Sequence, residues 1–139
     1  MIKNVQKAAL MLALMLAGTV QAAEWKDLIN GQDLSGWERV NGTARYELDG
    51  DTIVGYTVVN SPNSFLATKE NYSDFILEYD MYVDSAMNSG VQIRSHQKNG
   101  DGIVYGYQIE VDPTHRRFTG GFYDEKRRRW LYPLSLNEK

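Results

Sequence analysis

The sequence predicts an all-β protein, an antiparallel β-sandwich or barrel. Two observations carry this. Short runs rich in Val, Ile, Tyr and Phe alternate apolar and polar side chains with period 2, and clusters of Gly, Asn, Asp and Ser separate them at regular spacing. After residue 23 no run has helical periodicity for more than a turn or two. The 139 residues fit one domain, and the absence of cysteine excludes a disulfide-stapled scaffold.

The chain opens on a separate element. Lys3 and Lys7 give a positive start, Ala8–Ala17 is an unbroken apolar run, and small residues surround Ala22. These are the three parts of a secretory leader. The apolar run is too short for a bilayer, which takes ~20 residues. The expectation is a signal peptide over 1–22, cleaved after Ala22 with Ala23 as the competing site, and one domain over 23–139. Export then places the protein in a periplasmic or extracellular space, with no stable membrane anchor. The whole chain has a formal net charge of −3, and loss of Lys3 and Lys7 makes the remainder two charges more acidic. An acidic exported domain is a poor partner for nucleic acid, whose phosphates need a basic face.

The strands follow in order. Ala44–Leu48 and Thr52–Tyr56 flank the turn signal Asp49-Gly50-Asp51 and read as a hairpin. Ser64–Thr68 is a short strand. Asp74–Val83 has the clearest alternation, with Phe75, Leu77, Tyr79, Met81 and Val83 on one face. Asn88-Ser89-Gly90 turns the chain into Val91–His96, and Gln97–Gly102 loops into Val104–Asp112. Phe118–Tyr123 and Arg129–Tyr132 are the last strands.

Two of these strands carry the candidate site. Strict alternation puts Gln92, Arg94 and His96 on one face of the first. Gly106, Gln108, Glu110 and Asp112 share one face of the second. With the apolar faces inward, the polar faces form a common surface. Planar amide, guanidinium and carboxylate groups, with Gly106 allowing close approach, suit a sugar's hydroxyls, and nearby Tyr and Trp rings suit its apolar face. The alternative is a solvated outer face that binds nothing.

Particular segments resemble a known family. Trp25-Lys26-Asp27-Leu28-Ile29-Asn30-Gly31-Gln32-Asp33-Leu34-Ser35-Gly36-Trp37 resembles the start of the bacterial 3-keto-disaccharide hydrolase domain. Asn71–Leu77, Asn88–Arg94, Gly106–Asp112 and Thr119–Glu125 resemble later segments of the same family, in the same order. The resemblance implies a concanavalin-like jelly roll with a concave ligand-binding face. It also implies C-terminal strands with a W-N start, a W-x-N-G hairpin and a late histidine. The sequence ends at Lys139 without these, so the expectation is a sandwich lacking its C-terminal strands and inactive alone.

The implied activity is cleavage of glycosidic bonds in sugars oxidised at C3. A base removes the C2 proton, an enolate forms and the C1 substituent leaves. A non-catalytic carbohydrate-binding module is the alternative on the same face. Glu110, a carboxylate between Ile109 and Val111, is the first candidate base, and an ion pair with Arg94 is its structural alternative. His96 is the second catalytic candidate, by its pKa class. Arg94, Gln92, Gln108 and Asp112 are substrate-binding candidates, with Asp112 equally suited to capping the turn at Pro113. His115 reads as solvent-facing. No metal ligand is assigned, although a divalent cation on the Glu110, Asp112 and His96 surface stays open. The run Lys126-Arg127-Arg128-Arg129 reads as a solvated loop partly neutralised by Asp124 and Glu125. The sugar, the linkage and the oligomeric state stay open.

Overall fold

The computed structural model describes residues 24–99 and 102–132. The leader expected over 1–22 lies outside the described residues. Among the described residues the architecture is all-β, with eight strands and no helix. The strands are β1 Trp37–Asn41, β2 Arg45–Asp49, β3 Thr52–Tyr56, β4 Ser64–Thr68, β5 Ser89–Gln97, β6 Val104–Val111, β7 Phe122–Glu125 and β8 Arg129–Tyr132. Every pairing is antiparallel. β1 pairs with β4, β2 with β3, and a third sheet runs β5-β6-β7-β8. This agrees with the β-sandwich expectation.

The hairpin forms where the turn residues predict it. Asp49 faces Thr52, so Gly50 and Asp51 alone make the turn, with Gly50 at φ 61°. The N-terminal motif is a second turn. Asn30 Oδ1 accepts the amides of Gln32 and Asp33, each at 2.9 Å, and Asp33 Oδ1 accepts the Ser35 amide at 2.8 Å. Hydrogen bonds from Ser35 and then Asn30 lower the Asp33 pKa to about 2. The turn leads into Trp37 at the head of β1, whose indole donates to the Leu28 carbonyl at 3.1 Å. The sequence pattern there is accounted for by turn geometry.

Three expectations are corrected. Asp74–Val83 carries no strand. Alternation sets which face each side chain takes, but a strand also needs a neighbour for its backbone groups. Among the described residues no strand pairs with this segment, and Phe75, Tyr79 and Met81 are exposed. The strand expected at Phe118–Tyr123 begins at Phe122, because Gly121 N donates back to Phe118 O at 2.8 Å and closes a turn. β1 was not expected as a strand.

The third correction concerns burial. Among the described residues the buried apolar side chains are Ala44 and Val104, whereas Glu110, Asp112, Asp124 and Glu125 are all buried. The carboxylates on and just beyond β6 and β7 are shielded, not solvated. A buried carboxylate is tolerated only when hydrogen bonds or cations meet it, and those partners define the site.

Candidate functional site

β6 lies between β5 and β7, and its pleat sends Gln108 and Glu110 to one face. On β5, Gly90 faces Glu110 and Gln92 faces Gln108. Residues directly opposite across a pair point the same way, so Gln92 joins this face. The register then shifts. Ile93 faces Tyr107, but the next pair is His96 with Tyr105, leaving Arg94 and Ser95 together opposite Gly106. This is a β-bulge, with Arg94 in the left-handed region at φ 47°.

The bulge decides which side chains enter the site. Ser95 turns onto the amide face and packs over Gly106, where a Cβ would lie 2.3 Å from Ser95 Oγ. The close approach allowed by Gly106 is therefore to a neighbouring strand, and not to a sugar. Arg94 is turned outward and pairs with Asp74 at 3.1 Å, both exposed. The ion pair expected between Arg94 and Glu110 is not formed. His96 faces Tyr105, with ring centroids 5.7 Å apart, on the side opposite Glu110. Strict alternation joined Gln92, Arg94 and His96, and the structure keeps only Gln92 with Glu110.

A directed chain of hydrogen bonds results. Ser95 Oγ donates to Gln92 Oε1 at 2.7 Å, Gln92 Nε2 to Gln108 Oε1 at 3.0 Å, and Gln108 Nε2 to Glu110 Oε2 at 2.8 Å. Asn88 Nδ2 donates to the other oxygen, Glu110 Oε1, at 2.8 Å. Each donor points toward the carboxylate, so the bonds polarise one another in the same sense. Glu110 is 3% exposed. Burial pushes its carboxyl above the ordinary value. The Gln108 hydrogen bond opposes this, the Asp112 charge adds to it, the Arg116 charge opposes it and the Glu125 charge adds to it.

Asp112 has the capping geometry. Its Oδ1 accepts the Thr114 amide at 3.0 Å, and Arg116 Nη2 sits 2.8 Å from Oδ2. Burial alone would raise its carboxyl, but the Thr114 bonds and the Arg116 guanidinium outweigh it and hold the carboxyl below the ordinary value. Among the described residues no three His, Cys, Asp or Glu side chains are grouped to hold a metal ion, and His96 lies away from Glu110 and Asp112. His115 is exposed, as expected.

β7 extends the same face. Tyr123 faces Gln108 and Glu125 faces Gly106. Tyr123 faces Trp130 of β8, with ring centroids 4.9 Å apart, and Phe118 meets Trp130 at 4.5 Å. Asn63 Nδ2 reaches Glu125 Oε1 at 3.4 Å. The face thus carries an amide row, two buried carboxylates and an aromatic cluster. The sequence reading did not place Asn88, Ser95 or Glu125 in the site. Asn88 sits in a segment read as a turn, Glu125 was read as neutralising the basic run, and Ser95 was hidden by the bulge.

The opposite face has its own cluster. Asp124, fully buried, accepts from Arg127 Nε at 2.6 Å and Arg128 Nε at 2.7 Å. Arg128 also donates to the Tyr107 hydroxyl at 3.1 Å, and the Arg127 guanidinium lies 4.9 Å from the Tyr107 ring centre. Burial raises the Asp124 carboxyl, but Arg128 and Arg127 outweigh it, so it lies below the ordinary value. Part of the basic run is therefore pinned and neutralised by Asp124.

An antiparallel all-β chain with amides, carboxylates and edge-packed rings on one sheet face has the makings of a sugar-handling domain. The chain belongs to the family of 3-keto-alpha-glucoside-1,2-lyase-like domains, whose family model matches residues 24–138. Membership gives it a carbohydrate-related function. No curated protein sequence matches the chain. Among the described residues no helix is long and apolar enough to cross a membrane.

Proposed function

We propose that the protein cleaves glycosidic bonds of 3-keto-glycosides, with Glu110 as the base that removes the C2 proton. The observation that carries this reading is the state of Glu110. It is buried, held at both oxygens by amide donors, and made more basic than an ordinary glutamate by its surroundings. A base whose pKa is raised toward the working pH accepts a proton more readily while still being ionised. Family membership supports the choice of 3-keto-glycosides as the substrate class.

The chemistry balances without a redox step. The ketone at C3 acidifies the C2–H bond. Glu110 takes that proton, and the electron pair moves onto the C3 oxygen as an enolate. Collapse of the enolate forms the C1–C2 double bond and breaks the C1–O bond, and the leaving oxygen takes up a proton. Water then adds at C1 and a proton returns to C2, completing net hydrolysis. Without that addition the product is the unsaturated ketone, and the reaction is a lyase reaction. This scheme differs from the two-carboxylate route of ordinary glycosidases. Gln108 and Asn88 orient the carboxylate, and Tyr123 and Trp130 supply apolar ring faces for the sugar. The reading includes export by the leader at residues 1–22.

The test is incubation of the protein with an aryl 3-keto-glucoside, followed by release of the phenol. Release above the spontaneous rate is expected. No release, together with tight binding of an unoxidised glycan, would replace the enzyme with a carbohydrate-binding module.

A further inference from the structure

The turn between β7 and β8 frames an open cleft of about 530 Å³, lined by Tyr123, Glu125, Lys126, Arg127, Arg129 and Trp130. That volume lies within the ~300–1,000 Å³ range of small-molecule sites. Its charge is unusual for this acidic chain. Arg127 and Arg128 share the single carboxylate of Asp124, and Lys126 Nζ is 3.8 Å from Glu125 Oε1. Arg129 makes no ion pair within the described residues. Positive charge is thus in excess around the cleft. The backbone is strained where two of these cations project, with Lys126 at φ 56° and Arg129 at φ 67°. Two rings, Tyr123 and Trp130, line the same cleft.

The cleft shares Tyr123 with the face that carries Glu110. Tyr123 faces Gln108 across the β6–β7 pair, and the Glu125 charge acts on Glu110. A sugar resting against Tyr123 on the amide face would therefore lie at the edge of this cleft. We infer that this cleft is a subsite for a carboxylate-bearing sugar, a glycuronoside, with the guanidinium of Arg129 and the ammonium of Lys126 meeting the carboxylate while Trp130 and Tyr123 cover the ring. A guanidinium matches a carboxylate with two parallel N–H donors. The inference rests on the reading that sugars occupy the Glu110 face, but it requires no turnover.

Calorimetric titration of the full chain with methyl glucuronide and methyl glucoside tests it. The glucuronide should bind at least about tenfold more tightly, and the preference should shrink as salt is added. Arg129→Gln and Lys126→Gln should each reduce the preference without weakening glucoside binding. Equal affinity for the two sugars, or a preference that survives both substitutions, would overturn the inference. Tighter binding of a sulfated glucoside than of the glucuronide would overturn the carboxylate assignment in favour of a sulfate ester. Glu110→Gln should keep the glucuronide preference. Loss of phenol release alone therefore counts against the proposed reaction, and loss of the preference alone counts against the subsite.

Discussion

Gln108 Nε2 donates to Glu110 Oε2 at 2.8 Å along one face of β6, so a neutral amide, and not a cation, is the direct partner of this oxygen. An amide stabilises a carboxylate less than a guanidinium would, and burial then wins, leaving the Glu110 carboxyl above its ordinary 4.5. The linkage has a definite sign. A carboxyl raised in the folded state contributes stability that is fully present below its unfolded pKa and is lost as the pH rises through its folded pKa. The stability of the protein relative to Glu110→Gln should therefore be greatest in acid and fall as the pH rises above the ordinary glutamate range. Thermal unfolding of both proteins from about pH 4 to about pH 8 measures this. A difference that grows with pH would contradict it.

Asp124 behaves in the opposite sense. Its carboxyl is held below the ordinary 3.8 by Arg128 and Arg127 against the cost of burial. Its contribution is present above the unfolded value and is lost as the pH falls through the folded one. Asp124→Asn should lower the thermal midpoint at neutral pH by several degrees and flatten the acid limb of stability. Both guanidiniums would also leave their positions beside Tyr107, which tyrosine fluorescence or near-ultraviolet circular dichroism should register. An unchanged midpoint and spectrum would show that the cluster contributes nothing.

Gly106 is required by its neighbour. It sits at φ 144°, and an added Cβ would meet Ser95 Oγ at 2.3 Å and Ser95 Cα at 2.6 Å. Gly106→Ala should destabilise the fold by at least about 1–3 kcal/mol, the scale of a strained backbone position. The bulge would have to move, breaking the Ser95–Gln92 bond first. Urea unfolding measures the cost, and a midpoint within error of the native protein would contradict the packing argument.

The fold class and most strands were legible because alternation and turn residues are local signals. Glu110 was legible too, since a carboxylate between Ile109 and Val111 needs a reason to be there. What misled was register. One bulge at Arg94 and Ser95 moved His96 to the far face and Arg94 out to Asp74, and alternation has no record of an extra residue. The available signal was Gly106, since a glycine inside a strand pattern marks a bulge or a close backbone approach. Asp74–Val83 misled differently. Its pattern is that of a strand, yet pairing depends on a neighbour that local sequence does not specify.

The central claim is that Glu110 takes the C2 proton of a 3-keto-glycoside. Deuterium incorporation at C2 in heavy water, followed by NMR for the native protein and for Glu110→Gln, tests it most directly. The native protein should exchange C2–H and release the C1 substituent. Glu110→Gln should lose about 10²–10⁴-fold in both rates, the usual share of a general base, while keeping its fold. Exchange at the native rate in Glu110→Gln, or aglycone release by the native protein with no deuterium entering C2 of substrate or product, would contradict the account.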